Sequence, residues 1–231
     1  HTIVGLIGPN GSGKTTFFNL VTGLDSPNGG RVLFRGTDIT GLPAHAIVER
    51  GIARTFQTLR LFSSMTVLEN VLVGMHARTH ASAVGAVIRP PSVRAEEAAT
   101  REWAMEVLQI FGNRLLPRAN HLASSLSYAN RRRLEIARAI AARPALLLLD
   151  EPTAGMNPAE TLELADQIRS LRDIGLTVLI IEHKLNVVND ISDKVTALDY
   201  GEKIAEGTAE EVHRNEDVIR AYLGRTSAAR I

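Results

Sequence analysis

Residues 8–16 read Gly-Pro-Asn-Gly-Ser-Gly-Lys-Thr-Thr, the types and spacing of a loop that wraps a phosphate. Gly11 and Gly13 let the backbone turn so that its N–H groups converge on one anion. Lys14 is spaced to reach β- and γ-phosphates and the Thr15 hydroxyl to ligate Mg²⁺, while Asn10, Ser12 and Thr16 complete the cradle. The loop follows the apolar run Ile3-Val4-Gly5-Leu6-Ile7 and precedes a helix-like stretch, 14–23. The dipole and unpaired N–H groups at that helix start favour the same anion. A purine nucleoside triphosphate is the expected ligand.

A second group of chemical residues lies far along the chain. Leu146-Leu147-Leu148-Leu149 ends in Asp150-Glu151-Pro152. A fully apolar run suits a strand buried on both faces of a parallel sheet, and acids at its C-terminal end sit where such folds bind ligands. There Asp150 can hold Mg²⁺ through water and Glu151 can polarise an attacking water. Taken alone, the two acids also read as caps of the following turn. The run 177–181 repeats the arrangement and ends in Glu182-His183. His183 can donate to a γ-phosphate or orient water, although spacing alone favours a purely structural histidine.

The elements needed to position these residues form an α/β pattern with a mainly parallel sheet. Strands are expected over 3–7, 145–149 and 177–181, with a hairpin of 195–198 and 203–205 turning at Asp199-Tyr200-Gly201-Glu202. Helices are expected over 14–23, 66–76, 94–111, 127–142, 158–173, 208–213 and 216–222. Within 158–173, Leu162, Ala165, Ile168 and Leu171 mark an apolar stripe, and Asn157-Pro158 is a helix start. Strand signal is poor across 43–118, so 43–142 reads as a mainly helical subdomain inserted between core segments 1–42 and 143–231. The stretch 79–92 is the least organised and 226–231 reads as a fraying tail. No antiparallel segment or adenine-stacking aromatic precedes residue 2, so the N-terminal antiparallel part is expected to be largely missing.

Bulk properties narrow the function. A chain of 231 residues with 45% hydrophobic and 22% charged residues folds into an ordinary core. The net charge of +1 gives no argument for nucleic acid, and zero cysteines exclude disulfides and thiolate metal sites. No apolar stretch is long enough to span a bilayer and no signal peptide opens the chain. The run Arg131-Arg132-Arg133 reads as a solvated or interface face of the 127–142 helix, and Trp103 and Phe111 as packing residues.

These motifs in this order resemble the ATP-binding cassette (ABC) ATPases over essentially the whole chain. The resemblance implies a P-loop NTPase core with an inserted helical subdomain, Mg–ATP as ligand, and ATP hydrolysis coupled to transport. Residues 8–16 fall on the family's phosphate loop, and 146–151 on its magnesium and catalytic strand. By the same resemblance Gln57, in Ala53-Arg54-Thr55-Phe56-Gln57, links the magnesium and water site to the helical subdomain. His183 takes the switch-histidine position, and Ala154-Gly155-Met156-Asn157 the loop that crosses a dimer interface. Ser127, Tyr128 and Ala129 belong to the signature segment that meets the nucleotide of a second subunit. That segment departs from pattern: Leu126-Ser127-Tyr128-Ala129-Asn130 stands where the family has Leu-Ser-Gly-Gly-Gln or Leu-Ser-Tyr-Gly-Gln. The Cβ of Ala129 is expected to crowd a phosphate, and Asn130 is one methylene short.

Met65-Thr66-Val67-Leu68-Glu69-Asn70, Glu151-Pro152-Thr153-Ala154-Gly155-Met156-Asn157-Pro158 and the segment 199–207 resemble the ATPase subunits of bacterial branched-chain amino-acid importers. The excursion 77–95 agrees with that branch more than with lipopolysaccharide-export ATPases; urea and amide importers share the same features. The resemblance implies a homologous ATPase subunit as partner, transmembrane permeases above the pair, and a solute-binding protein acting through them. The chain is then peripheral on the cytoplasmic face of the membrane.

Overall fold

The computed structural model describes residues 1–75 and 90–228. Its strands are β1 (Ile3–Ile7), β2 (Leu33–Phe34), β3 (Thr37–Asp38), β4 (Ile52–Arg54), β5 (Leu146–Asp150), β6 (Thr177–Ile181), β7 (Lys194–Asp199) and β8 (Glu202–Gly207). Six of them form one sheet in the order β4-β5-β6-β1-β7-β8, parallel except for the antiparallel pair β7–β8. Leu6 and Asp150 both pair with Ile181, so the chain leaves β1, β5 and β6 at one level. That register puts the phosphate loop, the Asp150-Glu151 pair and His183 along a single edge, the C-terminal edge where parallel sheets bind ligands.

The helices are α1 (Lys14–Val21), α2 (Ala44–Glu49), α3 (Val67–Gly74), α4 (Pro91–Ile110), α5 (Tyr128–Ala141), α6 (Pro158–Asp173), α7 (Leu185–Ile191), α8 (Ala209–Arg214) and α9 (Glu216–Ala228). Their starts are written in the sequence. Thr66, Asn157 and Thr208 each accept from the backbone N–H three residues on, and Glu69, Glu160 and Glu211 reach back to complete capping boxes. The hydroxyl of Ser127 caps α5 through the Asn130 N–H. The β7–β8 turn has Tyr200 at φ 47° and Gly201 at φ 84°, the left-handed pair that a two-residue hairpin requires.

Several expectations change. β4 is an edge strand of the main sheet, so 52–54 belongs to the core and not to the helical insert. Three residues are too short to show a period, and pairing with β5 decides their state. A small antiparallel hairpin, β2–β3, and the helices α2 and α7 were not expected either. In α6 the buried stripe is Thr161, Leu164, Ala165, Ile168 and Leu171, whereas Leu162 is 55% exposed. Leu162 lies about 100° round the helix from Thr161, and the i, i+3, i+4, i+7 spacing runs through Thr161 instead. The last helix continues through residues 226–228, part of the stretch read as a tail, while 229–231 lie outside the described residues. Most of the 79–92 stretch and of the 77–95 excursion also lies outside them; Pro90 caps α4 and Pro91 opens it.

Helices α3, α4 and α5 pack together and continue into the same apolar cluster as β5 and α6. Phe111 is buried there, and the Trp103 ring nitrogen donates to the Ala141 carbonyl beside the cation of Arg143. Gly74 lets α3 approach α5 closely: a Cβ added there would lie 2.2 Å from the Arg138 carbonyl oxygen. Alanine is the better helix former by roughly 1 kcal/mol, so propensity and contact oppose each other at this position. Gly74→Ala is expected to destabilise the chain by about 1–3 kcal/mol, the range for forcing extra volume into a packed site. Urea denaturation measures it; a higher midpoint would show that the two helices separate without cost.

Candidate functional site

The phosphate loop is built as its glycines suggest. Gly11 has φ 75° and Gly13, the N-cap of α1, has φ 102°. Ser12 is buried and Lys14 crosses beneath the loop, its Nζ donating to the carbonyls of Gly8 at 2.8 Å and Pro9 at 3.0 Å. Asn10, Thr15 and Thr16 are exposed at the mouth. Two remote elements brace the loop. The Gly201 N–H in the β7–β8 turn donates to the Ser12 carbonyl at 2.9 Å. From α9 the Tyr222 phenol is hydrogen-bonded by the Gly8 backbone; burial raises its pKa above the ordinary phenol value, and that bond opposes the shift.

At the end of β5 the chain turns sharply, with Glu151 at φ 47°. A non-glycine residue in that region stores roughly 1–3 kcal/mol and points to a functional constraint. The turn aims the Glu151 carboxylate at two partners. Oε1 lies 2.9 Å from His183 Nε2, and Oε2 lies 3.4 Å from the donating Gln57 Nε2. The sequence separations are 32 and 94 residues, so only the fold unites these three side chains. Behind His183, the buried Glu182 accepts from both the N–H and the hydroxyl of Thr153, fixing the turn that follows Glu151.

Asp150 is held from the side. Its Oδ2 accepts from Arg54 Nη2 at 2.9 Å, with side-chain exposures of 7% and 6%. Arg54 also donates to Asn19 Oδ1 at 2.7 Å and to Thr22 Oγ1 at 3.2 Å. Its guanidinium lies over the rings of Phe18 and Phe56. The donor set fits a hard divalent cation. Asp150 keeps a second carboxylate oxygen, Gln57 keeps its amide oxygen, and Thr15 offers a hydroxyl, the oxygen ligands that Mg²⁺ takes beside phosphates. Sequence reasoning quoted Arg54 within a motif without giving it a task. A basic residue two positions before the aromatic Phe56 was the only signal available.

Ser127 and Tyr128 stand exposed at the start of α5, and the Tyr128 ring packs over Gly155. Ala129 is 3% exposed and belongs to the apolar core. The methyl that the sequence reading set against an approaching phosphate is therefore packed inward. Asn157, which the family resemblance places among the nucleotide-binding residues, caps α6: its Oδ1 accepts from the Glu160 N–H at 2.9 Å. The run 131–133 differs from the solvated or interface face expected of it. Arg132 and Arg133 are each 1% exposed, because α5 is enclosed by α3 and α4 on one side and by the β5–α6 region on the other. Arg133 bonds Gln167 and Glu163 on α6. Burial lowers its pKa, whereas the Arg114 hydrogen bond holds Glu163 below the usual carboxylate range.

The fold and the loop define a P-loop nucleotide-binding protein. Residues 1–154 match the ABC transporter family, and residues 202–228 match the branched-chain amino acid ATP-binding cassette transporter family. The chain is 46% identical over 223 residues to the high-affinity branched-chain amino acid transport ATP-binding protein LivG of Escherichia coli K12, covering 96% of this chain and 87% of that protein. It is 38% identical to the lipopolysaccharide export system ATP-binding protein LptB of Haemophilus influenzae, covering 97% of this chain and 86% of that protein. The crystal structure of the ADP conformation of MJ1267, an ATP-binding cassette of an ABC transporter, superposes with a TM-score of 0.81 at 33% identity, covering 96% of this chain and 88% of that one. The chain belongs to the ABC transporter family as an ATP-binding subunit, closely related to the LivG type.

Removing Arg54 leaves the Asp150 carboxylate buried without its cation. Arg54→Met is expected to cost about 3–5 kcal/mol of folding free energy, as for other broken buried pairs. Adding Asp150→Leu should restore more than half of it. Urea midpoints of the parent, single and double variants test this, and an unmoved midpoint for Arg54→Met would mean that Asp150 does not depend on the pair.

Proposed function

We propose that this chain hydrolyses Mg–ATP to energise an importer of branched-chain amino acids. The observation that carries hydrolysis is the Glu151 carboxylate, held between Gln57 and His183 on the sheet edge that also bears the phosphate loop. Lys14 exchanges its loop carbonyls for β- and γ-phosphate oxygens, and the N–H groups of 10–16 surround the same anion. Glu151 takes a proton from the attacking water, and His183, with Nε2 protonated, orients the carboxylate and reports on the γ-phosphate. Thr15, Gln57 and Asp150 would hold Mg²⁺, which when bound neutralises charge on the transferring phosphoryl group. Preorganised donors at this edge do most of the catalysis because they need no rearrangement as charge develops.

The importer reading is supported by the 46% identity to LivG and by the C-terminal match over 202–228. Two such subunits, identical or homologous, close head to tail, so that Ser127, Tyr128 and the backbone of Ala129 meet nucleotide bound to the other. The division between a nucleotide-binding core and a helical subdomain, here α3–α5, provides the moving part. Among the described residues no helix is long and apolar enough to cross a membrane. Attachment at the cytoplasmic face then comes through permease subunits, with a solute-binding protein delivering cargo. LptB-like export is the competing assignment, at 38% identity. ATPase activity of the complete transporter, with solute-binding proteins for branched-chain amino acids, urea or amides in turn, decides the cargo.

Glu151→Gln is expected to lower turnover by at least about 10²-fold, in line with the loss of a general base, while Mg–ATP binding stays near the parent value. Lys14→Ala is expected to weaken nucleotide binding itself. Phosphate release and nucleotide titration separate the two, and a Glu151→Gln variant that keeps more than about a tenth of parent turnover is incompatible with the base assignment.

A further inference from the structure

Arg132 is among the largest fully buried side chains of the protein and lies in the second turn of α5, five residues after the cap Ser127. A guanidinium cannot shed its charge, so such burial is costly unless its donors are met. Here all five N–H groups find acceptors. Nε donates to the Pro152 carbonyl at 3.4 Å, and Nη2 to the carbonyls of Asp150 and of Glu151, the latter at 2.9 Å. Nη1 donates to the Phe56 carbonyl and to Glu135 Oε2, the latter at 2.6 Å.

The addresses of those carbonyls are the informative part. Asp150, Glu151 and Pro152 are the turn that carries the metal acid and the general base, and Phe56 immediately precedes Gln57. Glu151 sits at φ 47°, a backbone state that an ordinary residue leaves unless its surroundings hold it. Arg132 grips the carbonyls before, at and after that residue. Its neighbour Arg133 is equally buried, yet it bonds Gln167, Glu163 and the Glu160 carbonyl on α6, and so only joins two helices. Burial alone therefore does not require contact with the catalytic turn.

We infer that Arg132 is a positioning residue that fixes the left-handed turn of Glu151 and the segment just before Gln57 to the signature helix, so that movement of α5 sets the aim of the base. This rests on the reading of Glu151 as general base. Under that reading the start of α5 meets the nucleotide of the opposite subunit, so Arg132 links the signature half of one composite site to the catalytic acid of the other. Lysine cannot replace it, since one ammonium lacks the planar fork that reaches four carbonyls and a carboxylate together.

The test uses the complete transporter. Arg132→Lys is expected to lower kcat about 10–100-fold, the scale of a small misplacement of a catalytic group, with ATP affinity within about twofold of the parent because the phosphate loop is untouched. Arg133→Lys serves as the comparison, with kcat within about threefold once corrected for folded fraction. Arg132→Met with Glu135→Met removes the buried pair together, a replacement that cores often accept, and it should show the same kcat loss. If Arg132→Lys and the double variant turn over at the parent rate, the inference is overturned while the Glu151 reading stands. Equal losses in Arg132→Lys and Arg133→Lys overturn it as well, since general loosening then explains both. A transporter that hydrolyses no ATP at all overturns the reading and the inference together.

Discussion

A strand buried on both faces has no place for a charge along its length, and β5 obeys that limit with four leucines before its first acid. The constraint makes the strand end the one place where Asp150 and Glu151 can stand. It also creates a difficulty, because the backbone leaves the sheet there and its carbonyls lose their ladder. An unpaired buried carbonyl costs about as much as a lost hydrogen bond. The surrounding structure answers that need. Arg54 neutralises the first acid from the neighbouring edge strand, and Arg132 takes up the carbonyls of the turn from the helical side.

The two arginines show why guanidinium, and not ammonium, serves this edge. Arg54 lies near two aromatic rings, Phe18 and Phe56, while its terminal nitrogens donate to Asn19, Thr22 and Asp150. Arg132 needs donors spread over one plane toward several carbonyls. Both tasks use a flat, permanently charged group that is less strongly hydrated than lysine. The cost of burying such groups is large. The structure keeps them where they govern Asp150 and Glu151, which ties the expense to chemistry more than to stability.

The phosphate loop is similarly dependent on distant parts. Its own glycines allow the curve, but the curve is supported by Gly201 from the β7–β8 hairpin and by Tyr222 from α9. The segment 202–228, the part that matches the branched-chain amino-acid branch of the family, thus touches the nucleotide-binding loop. The signature helix α5 likewise faces two ways. Ser127 and Tyr128 stand outward at its start, while Ala129 begins the apolar core that joins it to α3 and α4.

Residue order by itself determined the phosphate loop, the buried strands β1, β5 and β6, the capped helices and the acid pair, because each depends on neighbours within a turn or a strand. The apolar stripe of α6 was legible at Ala165, Ile168 and Leu171 and missed only at its start, where Thr161 packs inward and Leu162 faces out. Only the tertiary structure decided that 52–54 is a strand, because three residues become a strand when β5 offers a ladder. It alone joined Gln57, Glu151 and His183, whose meeting depends on sheet order and register and not on spacing. It also turned Arg132 and Arg133 inward. Local sequence marks three successive arginines as exposed, and their burial needs acceptors contributed by segments far away in the chain.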